Sequence, residues 1–217
     1  MSERSPLRWS RSDAVITRCV LVIGLVFAGL ATLYALVWIT PLLPAGGGVP
    51  INAITVPIPD GVPDTAPPVS TADADHTVEA AGTMTLVFHD PTTAQRLLLV
   101  LPSLLAMIAT LVVMAGLLGI VRSLDAGDPF VRANVRRLRI IAFTVLLGAI
   151  LVPVVEMFRN DVLTAAALGS GTLEASVVLV GEGGIRFTFV FVGLLLAGLA
   201  EIFRRGTLMR DDVQGLV

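Results

Sequence analysis

Four long apolar stretches interrupt an otherwise polar chain, and their lengths set the first expectation. Residues 19–39 and 97–121 carry no charge at all. Residues 140–158 are apolar apart from Glu156, with Pro153 beside it. Residues 185–203 have Arg186 and Glu201 only at their margins. An α-helix rises 1.5 Å per residue, so about 20 residues cross the ~30 Å hydrocarbon layer of a bilayer. Each stretch is therefore read as a transmembrane helix. Pro102 falls near one end of the second, where a kink is tolerated. The last two are near the lower length limit and are expected to stand with little tilt.

The polar segments between them complete a single membrane domain. They are an outer loop at 41–95, a cytoplasmic loop at 122–139, a second outer loop at 159–184 and a cytoplasmic tail at 204–217. A signal peptide is the rival reading of the first stretch, because Arg4, Arg8, Arg11 and Arg18 precede it. The run is too long for the apolar region of a signal peptide, and no clear A-x-A site follows. It is read as an anchor.

Arginine placement gives the direction. The N-terminal tail holds Arg4, Arg8, Arg11 and Arg18. The loop at 122–139 holds Arg122, Arg132, Arg136, Arg137 and Arg139, and the tail holds Arg204, Arg205 and Arg210. Only Arg96, Arg159 and Arg186 fall on the other side. Both termini are expected in the cytoplasm, with the protein in the inner membrane of a bacterial cell.

Composition agrees with a lipid environment. The 217 residues are 55% hydrophobic, with a mean hydropathy of +0.87, against about 45–50% apolar in soluble domains. A net charge of -2 provides no field for nucleic acid, so no direct nucleic-acid binding is expected. Every basic residue is Arg; this is read as a genome bias, with bidentate phosphate contact as the lesser reading. The one cysteine, Cys19, excludes an intrachain disulfide. It is read as a small buried apolar residue rather than an acylation site.

The outer side has local order in its pattern. The first outer loop is acidic, and its middle, 57–77, is rich in Pro, Asp, Ala and Thr and reads as mobile. Its flanks, 51–58 and 83–89, are β-type, with Met84, Leu86 and Phe88 on one face. In the second outer loop, 172–180 is also strand-like. Three strands on a covering surface make a stable unit where a lone hairpin would not. The expected fold is thus mainly α: a four-helix transmembrane bundle carrying a small extracytoplasmic β-sheet built from the two outer loops. Irregular loops are the alternative.

The cytoplasmic side contains the sharpest motif, Gly127-Asp128-Pro129-Phe130. Asp128 suits a helix N-cap and Pro129 the first helical position. In the helix that follows, Val131, Val135 and Leu138 form one stripe and Arg132, Arg136 and Arg139 a neighbouring one. With Arg137, Arg204 and Arg205, these arginines are candidates for contact with a protein partner or with lipid headgroups. The alternative is a pure topology signal. Glu201, a candidate polar site at the membrane edge, can pair with Arg204 or Arg205 one turn away.

Gly127, Pro129, Phe130 and the Arg136-Arg137-Leu138-Arg139 run, together with Glu201, Phe203, Arg204, Arg205, Gly206, Leu208 and Arg210, carry a resemblance. The chain resembles the bacterial membrane family catalogued as domain of unknown function 2975, over nearly its whole length. The resemblance implies four membrane spans and no assigned activity. It also implies a partnership with a small helix-turn-helix regulator, because members are often encoded beside one. It implies no catalytic residue.

The residues show no catalytic constellation either: no H-E-x-x-H, no Walker-type glycine loop, no Cys/His metal spacing. Asp73, Asp75, His76 and Glu79 have ligand chemistry, but in a low-complexity stretch they read as a solvated loop. No cofactor, metal or enzymatic activity is expected. Glu156 is the ionisable group to watch, since a carboxylate in a span is a functional candidate. Arg159, one turn on, is placed to neutralise it. Gly24/Ala28, Ala115/Gly119 and Gly193/Ala197 permit close helix contact.

The expected function is non-enzymatic: sensing or binding outside and relay to a cytoplasmic partner. Transport, or an oligomeric channel that exports or gives resistance to a small compound or peptide, is the alternative. A homo-oligomer fits either. The lipid bilayer is the partner both share.

Overall fold

The computed structural model describes residues 11–40, 42, 51–57, 83–88, 90–125, 131–168 and 187–214. Four helices carry the fold: α1 (Arg11–Ile39), α2 (Thr93–Asp125), α3 (Arg132–Leu168) and α4 (Phe187–Gln214). Two strands, β1 (Ala53–Pro57) and β2 (Thr83–Val87), lie in the chain between α1 and α2. All four helices are long and apolar enough to cross a membrane, as in a multi-pass membrane protein.

The helices outrun the apolar stretches. α3 continues as helix to Leu168, where the sequence suggested a loop from residue 159. The segment Arg159–Leu168 has no Gly or Pro, and it contains the helix formers Leu163, Ala165, Ala166 and Ala167. Leu163 is 0% exposed, so packing adds to propensity there. α4 likewise runs on to Gln214, into the expected tail.

Extensive helix contacts join chain neighbours: α1 with α2, α2 with α3, and α3 with α4. Glycines set the closest approaches. A Cβ on Gly193 would lie 2.6 Å from Cγ of Leu146, and one on Gly24 would lie 2.9 Å from Cε of Met114. Gly193 of the Gly193/Ala197 pair therefore brings α4 against α3, as small residues do in membranes. Gly29 and Gly198 face open space.

Large apolar side chains point outward along α1 (Phe27, Leu30, Leu33) and α4 (Phe187, Phe191, Leu194, Leu195, Ile202). Such a surface would be an aggregation hazard in water. Against lipid tails it costs nothing, because they are as apolar as leucine. Cys19 is on this surface: it is exposed, not the buried apolar residue suggested by its composition. A single helix with neighbours on one side leaves most of its circumference to the solvent, which here is lipid.

One end of the helices carries the sheet, the other most of the arginines. β1 and β2 pair antiparallel in the register Ile54↔Leu86 and Val56↔Met84. Asn52 extends the ladder: Phe88 N–H donates to Asn52 O at 2.9 Å, and Asn52 Nδ2 donates to Phe88 O at 3.0 Å. Ile54 and Val56 alternate inward and pack on Ala35 and Trp38 of α1, Leu99 and Val100 of α2, and Leu163 of α3. Two strands alone are marginal in water; these two are held by three helix ends. The strand-like stretch 172–180 and the motif Gly127-Asp128-Pro129-Phe130 lie outside the described residues.

Candidate functional site: two polar joints and a groove between them

The sheet end is closed by Arg96. It is 9% exposed and sits on the first turn of α2. That turn starts with a capping box: Thr92 N–H donates to Gln95 Oε1 at 2.9 Å, and Gln95 N–H donates back to Thr92 Oγ1 at 3.4 Å. The cap fixes the direction in which Arg96 leaves the helix. Its Nη1 donates to the carbonyls of Trp38 (3.2 Å) and Thr40 (3.3 Å), and its Nε to Pro91 O (3.2 Å). Its guanidinium carbon stands 5.2 Å from the centre of the Trp38 ring. A cation thus meets the carbonyl end of α1, where the helix dipole is negative and the last C=O groups have no helical partner. Sequence reading counted Arg96 only as a charge on the minority side. The signal that could have found it is the T-x-x-Q box one residue before it.

The arginine end has a second joint, between α2 and α3. Asn134 is 2% exposed, and its Nδ2 donates to Ser123 Oγ. Arg137 Nη1 donates to Asn134 Oδ1 at 3.0 Å and to Gly119 O at 2.8 Å. A Cβ on Gly119 would lie 2.7 Å from Arg137 Nε, so any larger residue there would displace this guanidinium. Gly119, flagged as a helix-contact residue, serves a side chain rather than a backbone approach.

The candidate contact residues divide accordingly. Arg132, Arg136 and Arg139 are exposed, whereas Val135 and Leu138 are buried, as the two stripes require. Arg137 is half-buried in the joint. Arg204 Nε and Nη2 donate to the two carboxylate oxygens of Glu201, each at 2.7 Å, and Arg205 Nε donates to Glu201 Oε1 at 3.1 Å. Both expected partners of Glu201 are therefore engaged. The group is exposed, where ion pairs contribute little.

Between the joints, a groove of about 540 Å³ opens along α2 and α3. Its walls include Ala109, Val113, Val145 and Gly148, with Leu21 of α1 and Phe189 of α4 at its sides. Glu156 lines its sheet-side end. Arg159 Nε and Nη2 donate to Asn160 Oδ1 at 3.1 and 2.9 Å, so Arg159 acts on Glu156 through space rather than through a direct hydrogen bond. Among the described residues, Glu156 has no ion pair. Asp73, Asp75, His76 and Glu79 lie outside the described residues.

A family model matches residues 70–215, which span β2, the capping box with Arg96, the α2–α3 joint and the groove walls on α2, α3 and α4. The chain belongs to the family described as "Protein of unknown function (DUF2975)". The match to DUF2975 leaves out α1 and β1, so the resemblance is shown over a shorter range than the near-complete one expected. No match was found among curated proteins or among solved structures. Within DUF2975, then, geometry alone has to indicate what the joints and the groove do.

Proposed function

We propose that this DUF2975 protein is a non-enzymatic sensing and interaction protein of a bacterial inner membrane, with both termini cytoplasmic and the sheet outside. It relays an outside signal to a cytoplasmic partner, of which a small helix-turn-helix regulator is the first choice. The supporting observation is the continuity of α3. Its 37 residues, about 55 Å at 1.5 Å each, reach from Arg132 to the sheet. Leu163 is buried under the strands at one end, and Asn134 is buried in the polar joint at the other. A helix seated in both faces moves both together, and hydrogen-bonded joints have discrete arrangements that a ligand can bias.

The exposed arginines Arg136 and Arg139 are next to the joint and offer donors to an acidic partner surface. In the double variant Arg136→Glu/Arg139→Glu, the protein should stay folded and lose a co-purifying helix-turn-helix regulator by about tenfold or more, as charge reversal at an interface does. Undiminished recovery of the regulator would refute the relay.

The groove favours a second reading: permeation or export of a small compound or peptide, by a monomer or a homo-oligomer. That reading requires substrate flux in liposomes containing the purified protein, reduced severalfold by Glu156→Gln. Equal flux in the two would remove it.

A further inference from the structure

The groove has two features that go together. Its walls are apolar for most of their length, and one carboxylate stands at one end. Glu156 is 17 residues from Arg139 on the same helix, so it lies about 25 Å from the arginine end. That is just inside the sheet-side boundary of an about 30 Å hydrocarbon layer. The apolar part runs from Glu156 back toward Thr144, about 18 Å of that same length of α3. A volume near 540 Å³ is in the range of pockets that hold one drug-sized molecule.

The chemistry of the walls restricts the occupant. Thr110 Oγ1 already donates to Ala106 O at 2.8 Å, within its own helix. The apolar wall therefore asks for a chain and offers little for polar recognition. Glu156 is half-buried; Arg159 acts on it through space but donates its hydrogen bonds to Asn160. A carboxylate in a span is costly unless it is neutralised. An ammonium group would neutralise it and place its own alkyl chain along the groove.

We propose that the groove binds a long-chain amine: a molecule with one cationic nitrogen at Glu156 and an unbranched apolar chain lying between α2 and α3 toward Thr144. This deepens the sensing reading by naming what is sensed, and rests on it only for the consequence of binding. Binding itself is measured without any partner, so the relay can fail while the site stands.

The test uses the full chain in phosphatidylcholine nanodiscs, with two photoreactive probes of equal chain length: a hexadecylamine and the corresponding neutral alcohol. In the wild type, the amine should label groove residues of α2 and α3 about tenfold more efficiently than the alcohol. Unlabelled hexadecylamine should compete and hexadecanol should not. Glu156→Gln should abolish the preference while leaving the protein folded. Gly148→Leu should block labelling by both probes; a Cβ there makes only ordinary contact, 3.9 Å from Ala109 Cβ, so the longer side chain can enter the groove. Equal labelling by amine and alcohol would show a site for any lipid chain and overturn the proposal. So would an unchanged amine preference in Glu156→Gln.

Discussion

Arg96→Ala should destabilise the protein by about 3 kcal/mol. The guanidinium is the donor to three backbone carbonyls, those of Trp38, Thr40 and Pro91. Removing one partner of a buried hydrogen bond leaves the other to bear its desolvation, about 1–3 kcal/mol each. The three losses share one side chain and do not add in full. The Trp38 ring also loses the cation above it, worth about 0.5–2 kcal/mol. For a chain of this length, the sum is equivalent to a fall in Tm of about 6–12 °C, measurable by thermal unfolding in detergent. Arg96→Lys should recover less than half of it. A lysine keeps the charge but cannot serve three carbonyls from a planar fork while lying over an indole. If Arg96→Ala unfolds at the wild-type temperature, α1 is held to α2 by apolar packing alone and the staple has no energetic role.

Arg96 also shows what could be read from the chain and what could not. The four spans were legible because a bilayer imposes one length and one composition on every crossing. The arginine bias was legible because it is a count. Two of the three exceptions to that bias are structural: Arg96 is buried against carbonyls, and Arg159 is half-buried against Asn160. A count cannot separate a charge that faces water from one that closes a helix end. The helix beyond residue 158 was missed because hydropathy falls at Arg159, Asn160 and Asp161 while helix propensity does not. Burial of Leu163 is a property of the sheet above it and appears in no local window. The two strands of the first loop were legible, one from the alternation of Met84, Leu86 and Phe88 that a half-buried strand needs and the other from β-type composition over 51–58.

The groove was the least legible part. Glu156 stood out as a carboxylate, but its nearest basic residue in the chain, Arg159, suggested neutralisation one turn away. Sequence spacing allows that pair. Arg159 does act on Glu156 through space, but its hydrogen bonds go to Asn160 at the adjacent position.

The same distinction between neighbours decides the second large effect. Arg136 and Arg137 are adjacent in one basic run, yet charge reversal should separate them by about 3 kcal/mol. Arg136 is exposed, and Arg136→Glu should alter stability by no more than about 0.5 kcal/mol. Arg137→Glu should cost about 3 kcal/mol or more. It deletes the donor shared by Gly119 O and Asn134 Oδ1 and puts a carboxylate against two acceptor oxygens. Asn134, 2% exposed, then loses the donor to its Oδ1 and keeps its Nδ2 bond to Ser123. Unfolding of the two single variants in detergent, side by side, measures the difference.

A cycle with Gly119 tests the cause. Gly119→Ala alone should be destabilising, because its Cβ meets the Arg137 guanidinium at 2.7 Å. In an Arg137→Ala background that obstruction is gone and the same substitution should cost less, with a coupling of about 1 kcal/mol or more. Additive costs would show that Gly119 and Arg137 do not meet. Non-additive costs would establish that Arg137 joins two helices while its neighbours Arg136 and Arg139 lie exposed, so that a binding assay on Arg137 reads folding first.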